Sequence, residues 1–347
     1  MTAPHQDLDH EQRDLIDLVR DARPHLFPIG QETEAWLDRL EKRHEALHTL
    51  VDDRLQSEPP TGAGLAATLW RFWWLRGHMA EGRAFLERAL LIESPERQEI
   101  LKGLGTIAFR EGDADRADRA FSERLRLLEP ENEPRKLADA FADMARVALR
   151  RGDFAAVRKY AERGYAAAQG LGPDAIRAPL HLRAAAARME GQLDEARALY
   201  LESRAINEQL GNELNVAGED HNLIYVALHR GDREEAERRF RSSSEWTFSH
   251  RNAYLQPYAL LDAGVLALHD GELERACRLV AAAQRIFEET GSIPDPDDRV
   301  ELDNVVADLR KQLGERFGDL WQEGMALRLE EAQTLARRAS QPAVPGN

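Results

Sequence analysis

A single cysteine, Cys277, stands in 347 residues, which excludes an internal disulfide and any site built from several thiolates. It follows Ala276 in a helical pattern and reads as a buried structural thiol, not a nucleophile. Aromatic residues make up only 7%, and nowhere do Val, Ile, Thr and Tyr alternate with polar residues as half-buried strands require. Almost no sheet is expected. Positive charge is in the minority: 47 Lys and Arg against 62 Asp and Glu leave a formal −15. Such a surface repels phosphate backbones, so direct nucleic-acid binding is not expected. The start, MTAPHQDLDHEQRD, lacks the cationic and apolar regions of a signal peptide. The most apolar stretch, LAATLWRFWWL, is broken by Arg71 and falls far short of the roughly 20 residues a membrane span needs. A cytoplasmic protein with no membrane contact is the expectation.

What is present is a period. GHMAEG, GDADRA, GDFAAV, GQLDEA, GDREEA and GELERA each place a small residue or Val five positions after a Gly. Their glycines, Gly77, Gly112, Gly152, Gly191, Gly231 and Gly271, recur at a nearly constant spacing. A fixed period of this length marks stacked units, each too small to bury its own apolar face. Before each Gly runs a helical pattern, as in RKLADAFADMARVALRR, where Leu137, Phe141, Met144, Ala145 and Ala148 share one face. Gly then ends the helix in the left-handed conformation, and in three units the Asp that follows can cap the next helix. Ala117, Ala196, Ala236 and Ala276 allow close approach, and Phe121, Tyr200 and Phe240 fill space one helical turn later. The fold expected is all-α, six helical hairpins stacked as a solenoid over 57–290. Helices in 9–22 and 31–56 cap it at the N-terminal side, and two or three more over 291–339 cap the other. SEPPTGAG (57–64) and GSIPDPDD (291–298) read as breaks, and 340–347 as a disordered tail.

The spacing and the Gly, Ala and aromatic positions resemble the tetratricopeptide repeat in a longer variant, which implies a right-handed superhelix. WLDRLEKRHEALHTL (36–50) with LAATLWRFWWLRGHMAEGRAFLERAL (65–90), and the stretch from 278 to 336, are similar to the two ends of the helical sensor region in large actinobacterial LuxR-type, maltose-type and antibiotic-regulatory ATPase regulators. In those regulators an ATPase module precedes the region and a helix-turn-helix often follows. No GxxxxGK(S/T) loop occurs here, and the chain stops soon after its last expected helix. The resemblance implies a free-standing regulatory sensor or scaffold that binds a peptide, a protein segment or a small anionic effector.

Several motifs suggest chemistry and fail on inspection. His44-Glu45-Ala46-Leu47-His48 is a literal HExxH on a helix, and two histidines four apart could bind zinc. The positions where a third ligand pattern needs Gly and His are Val51 and Arg54, so no metal, cofactor or catalytic residue is assigned. Trp70 and Trp73 read as core, while Phe72 and Trp74 point elsewhere, Trp74 being a candidate contact. GLGTIAFREG (103–112) has no strand before it and is not a dinucleotide loop. PDPDD (294–298) lacks the calcium loop pattern and reads as a helix-capping turn.

In stacked hairpins the first helix of each pair lines the concave face. The family's groove positions, counted back from each repeat Gly, are the thirteenth, tenth, sixth, third and second. They hold Arg71, Lys102, Arg110, Arg146, Arg150 and Arg188, and the histidines His181, His221, His229 and His269. Trp74, Tyr225 and Tyr258 also fall there, and Glu99 and Asp139 are the only acids. A groove less acidic than a chain of charge −15 favours an anionic partner. Arg110 and Arg150 could equally serve the negative ends of their helices.

Overall fold

The structure is a computed structural model that describes residues 3–27, 32–250 and 252–337, with side chains from residue 10 onward. The tail over 340–347 lies outside the described residues. Among those residues there are eighteen helices and no strand. None is long and apolar enough to cross a membrane.

Six hairpins form the body: α4 (Pro59–Arg76) with α5 (Met79–Leu90), α6 (Arg97–Arg110) with α7 (Ala114–Leu128), and α8 (Pro134–Arg150) with α9 (Phe154–Ala168). They continue as α10 (Pro173–Met189) with α11 (Leu193–Gln209), α12 (Glu213–His229) with α13 (Arg233–Ser249), and α14 (Gln256–His269) with α15 (Leu273–Thr290). Every hairpin turns at its repeat glycine, and all six have φ between 70° and 85°. At Gly152 the geometry explains the residue: its amide bonds Leu149 O at 3.0 Å, the next amide bonds Ala148 O at 3.0 Å, and the pair closes the helix as a Schellman turn. Asp113, Asp153 and Asp232 each accept a hydrogen bond from the amide three positions on, at 2.8, 3.0 and 2.9 Å. These are the three caps expected from GDA, GDF and GDR. Ala117, Ala196, Ala236 and Ala276 are fully buried, so the second helices pack closely on their neighbours.

Two expectations at the N-terminal side need correction. Three helices precede the body, α1 (Ala3–Leu26), α2 (Thr33–Glu41) and α3 (His44–Ser57), because the chain turns at Lys42 and Arg43 with no Gly or Pro to announce it. SEPPTGAG does hold the break before the first hairpin, but it is a single residue, Glu58, between Ser57 and Pro59. Pro59 and Pro60 form the first turn of α4, where proline is pre-organised for the helix. Gly62 lies inside that helix, where a Cβ would meet Leu55 N at 2.5 Å. The beginning of α4 is thus pressed against α3.

After α15 come α16 (Pro296–Leu313), α17 (Arg316–Ala326) and α18 (Leu329–Ala336), which cover the last hairpin. Cys277 is buried there, its thiol pushed up to about 11 by burial. The superhelix comes round on itself: Trp74 in α4 meets Tyr254 before α14 with ring centroids 5.5 Å apart, and Asn252 donates to Glu34 at 3.4 Å. The first helices of the hairpins therefore enclose a channel.

Candidate functional site

The channel wall is built by α4, α6, α8, α10, α12 and α14, and its charge is uneven. Lys102 Nζ sits 2.6 Å from Asp143 and 3.0 Å from Asp139. Arg124 reaches in from α7 to the same pair, at 2.8 Å from Asp139 and 3.0 Å from Asp143. Arg146 adds a third contact to Asp143 at 2.9 Å. Although burial opposes it, Lys102 and Arg124 hold Asp139 well below the usual carboxylate range. Arg71 has no carboxylate at contact distance among the described residues; it donates to Leu26 O at 2.8 Å and lies over the Phe27 ring at 4.3 Å. Burial pushes its guanidinium down to about 10, with Glu99 acting against that.

The other end of the channel is filled by the chain itself. Residues 291–301, the connection from α15 and the first turns of α16, lie across it as a strap. Ile293 N donates to Arg110 O at 2.9 Å. Arg110 Nη1 contacts both oxygens of Asp295 at 2.7 Å, Tyr254 OH donates to Asp295 at 3.3 Å, and Asp295 N donates to Tyr258 OH at 3.2 Å. Arg150 donates to Pro294 O at 3.3 Å. Arg188 holds Asp297 at 3.1 Å, Asp298 at 3.3 Å and Glu301 at 3.1 Å. His221 stands between Asp262 at 2.9 Å and Asp298 at 3.1 Å, and His229 meets Glu301 at 3.2 Å. Burial opposes protonation of His221, but Asp262 and Asp298 raise it well above an ordinary histidine. PDPDD is therefore not a capping turn. Asp295 sits at the N-cap position of α16 without a capping bond, because its carboxylate is turned to Arg110 and Tyr254.

Between the two charged regions lies a chamber of about 160 Å³. Arg146, Arg177 and His181 line one part of it, Asp295, Asp297 and Asp298 another, and Trp74, Leu149, Leu182, Leu255 and Tyr258 its apolar wall. Ser203, Asn207, Asn215 and Asn222 add neutral polar groups. His181 is bound to Glu219 at 3.0 Å, and against the effect of burial that carboxylate raises its pKa.

The sequence-expected groove residues thus divide. Arg110, Arg150, Arg188, His221, His229 and Tyr258 are engaged by the strap. Arg146, His181 and Trp74 face the chamber. Lys102 is tied to two aspartates, Tyr225 is buried beneath Arg188 with its ring 4.6 Å from the guanidinium, and His269 is exposed. Phe72 differs from its expectation, being buried against His44 and His78 under α3. Three contributors were not assigned to the groove from the sequence. Arg177 lies one position outside the groove register counted from Gly191, Arg124 comes from a second helix, and the strap carboxylates lie beyond the repeats.

The HExxH residues form no catalytic set. His44 and His48 contact Glu81, at 2.8 and 3.4 Å, while Glu45 is exposed. Ligating atoms of Glu41, His44 and His78 lie within 4.8 Å of one another. However, the His44 and His78 rings stack at 3.9 Å with planes 25° apart. Two stacked, nearly parallel rings cannot both aim a lone pair at one ion about 2 Å away. The glycines of GLG are helix-packing residues: a Cβ at Gly103 would meet Trp70 at 2.6 Å and one at Gly105 would meet Phe121 at 2.4 Å.

No family model matches the chain, and no curated protein matches it. Among solved structures it is similar to a Rap protein complexed with competence and sporulation factor, at 13% identity and TM-score 0.56, over 96% of this chain and 100% of that one. It is also similar to the Cut9–Hcn1 hetero-tetramer of the APC/C, at 14% identity and TM-score 0.51 over 85% of this chain, spanning about half (52%) of that chain. A tetratricopeptide repeat protein from Parabacteroides merdae gives 13% identity and TM-score 0.49, over 83% of this chain and 97% of that one. The fold of this chain is a right-handed solenoid of tetratricopeptide type.

Proposed function

We propose that this chain is a noncatalytic regulatory binding protein. Its channel takes a peptide, a protein segment or a small effector through an anionic group. The observation that carries this reading is the strap: its acidic side chains are seated on Arg110, Arg150 and Arg188, from three successive inner helices. They exemplify the chemistry that this wall accepts. The likeness to a Rap protein complexed with a factor, and to the Cut9–Hcn1 hetero-tetramer, supports a binding role. The resemblance of the two sequence ends to actinobacterial LuxR-type, maltose-type and antibiotic-regulatory proteins supports a place in transcriptional or signalling control. Helices before residue 57 and after 290 act as caps of the stack in this reading.

Labelled hexaglutamate, titrated against the protein by fluorescence anisotropy at two salt concentrations, tests it. Affinity should fall as salt rises and fall further in Arg146→Glu, whose side chain is about one-third exposed (32%) and lines the chamber. Equal affinities for both proteins at both salt concentrations would place the binding surface elsewhere.

A further inference from the structure

Two opposite charges line the chamber and are not fully satisfied among the described residues. The guanidinium of Arg177 lines it and, among those residues, makes no hydrogen bond or ion pair. Burial lowers its pKa, Asp139 raises it, and Arg146 lowers it again. Around it the cations Arg71, Lys102, Arg124, Arg146 and Arg177 face three carboxylates, Glu99, Asp139 and Asp143. His181 with Glu219 and Arg135 with Asp174 form pairs that cancel. This end of the chamber is short of negative charge.

The strap end has the reverse imbalance. Five carboxylates, Asp295, Asp297, Asp298, Glu301 and Asp262, face only three guanidiniums, Arg110, Arg150 and Arg188, with the histidines His221 and His229 beside them. Asp297 is 5% exposed and lines the chamber. Its Oδ2 is held by Arg188 at 3.1 Å, and its Oδ1 makes no hydrogen bond among the described residues. Burial, and then the neighbouring Asp298, push this carboxylate up to about 6. A cation placed at Oδ1 would relieve the crowding.

We propose that the chamber is a seat for a compact zwitterion, an amino acid or a dipeptide, with its carboxylate toward Arg177 and Arg146 and its ammonium toward Asp297. Size and shape agree. At about 10–15 Å³ for each water-sized occupant, 160 Å³ holds on the order of ten to fifteen non-hydrogen atoms. Arg177 and Arg188, the residue that holds Asp297, are three turns apart on α10, a separation of about 16 Å between their Cα atoms. The anionic and cationic seats are therefore separate places, which suits the spaced end charges of a dipeptide better than the adjacent charges of a single amino acid. Between them Leu149, Leu182 and Tyr258 offer an apolar waist, and Asn207 keeps its Oδ1 buried without a partner among the described residues, ready to accept from a ligand amide. This inference rests on the binding role proposed above and names the ligand class for the same channel.

The test is calorimetric titration of the full chain with alanine, alanyl-leucine, N-acetyl-alanyl-leucine and alanyl-leucine amide. Alanyl-leucine or alanine should bind one per chain, and which is tighter decides between the dipeptide and the amino acid. Blocking either end should weaken binding tenfold or more. In Arg177→Gln the acid and the amide should bind alike, and in Asp297→Asn the free and acetylated amines should bind alike. Each loss should be confined to its own end. Arg126→Gln, at an exposed position on α7, should change nothing. Melting curves establish that each variant is folded, and a bound ligand should raise the melting temperature of the wild type. Failure of both free-ended probes to bind, or binding indifferent to blocked ends, would overturn the proposal. If hexaglutamate still bound with dependence on Arg146, only the zwitterion seat would fall; if it too failed, the binding role would fall with it.

Discussion

Arg110 and Asp295, far apart in the chain, meet with both carboxylate oxygens 2.7 Å from one guanidinium nitrogen. Arg110 also lies over the Tyr254 ring at 4.4 Å, so the pair ties the second hairpin to the segment before α14 and to the strap. Removing one partner of a buried pair costs about 3–5 kcal/mol, here toward the lower end because Asp295 keeps Arg150 at 3.7 Å and Tyr254 at 3.3 Å. Arg110→Met should therefore lower stability by an amount of that order in urea unfolding. Adding Asp295→Leu to it should recover part of the loss, because the abandoned carboxylate is then gone.

Asp297 makes stability depend on pH in a defined direction. Its folded pKa is raised to about 6 from 3.8, so the stabilisation tied to its protonated form is full below pH 3.8 and is lost as pH rises through 6. A shift of that size corresponds to at most about 3 kcal/mol. Asn cannot ionise, so the stability of Asp297→Asn relative to wild type should improve as pH rises from 4 to 7. His221, also raised, adds a loss in the same direction at higher pH, above the ordinary histidine range. Chemical denaturation at pH 4, 5.5, 7 and 8.5 measures both slopes. A constant difference between Asp297→Asn and wild type from pH 4 to 7 would show that Asp297 is not strained.

Gly105→Ala should destabilise the second hairpin. The added Cβ would stand 2.4 Å from a Phe121 ring carbon that is itself buried, and overpacking of this kind costs about 1–3 kcal/mol. Ala is otherwise the better helix former, so a stability gain would mean that α6 and α7 are not this close.

Purified protein should hold no stoichiometric zinc, and His48→Ala should leave the melting temperature nearly unchanged. The His48 side chain is about half exposed (54%), its polar contact to Glu81 is long, and its ring meets only the edge of Phe85. Elemental analysis finding one zinc per chain, absent in the mutant, would contradict the pairing of His44 and His48 with Glu81 and make the HExxH residues a metal site.

The repeat architecture was legible because its causes are local. Gly152 must adopt a left-handed turn, Asp153 caps the helix that follows, and the two are neighbours in the chain. The turn at Lys42 and Arg43 left no such mark, and Pro59 and Pro60 looked like an interruption although proline starts a helix as readily as it ends one. The occupied channel was illegible for another reason. PDPDD has the spelling of a helix start, and only the superhelical path brings Asp295 to Arg110 and Asp298 to His221. Arg177 stands one position outside the groove register: neighbouring side chains on a helix are only about 100° apart, and a long Arg there still reaches the concave face. The surplus of positive charge in the groove positions was visible. That the strap neutralises much of it was not.

The most direct measurement of the central claim is arginine footprinting with phenylglyoxal, read by mass spectrometry, with and without saturating hexaglutamate. The account predicts that Arg146 and Arg177 lose reactivity when ligand is present, while Arg126 and Arg197, exposed on the second helices, keep theirs. Unchanged reactivity at Arg146 and Arg177, or equal protection at Arg126 and Arg197, would contradict binding in the channel.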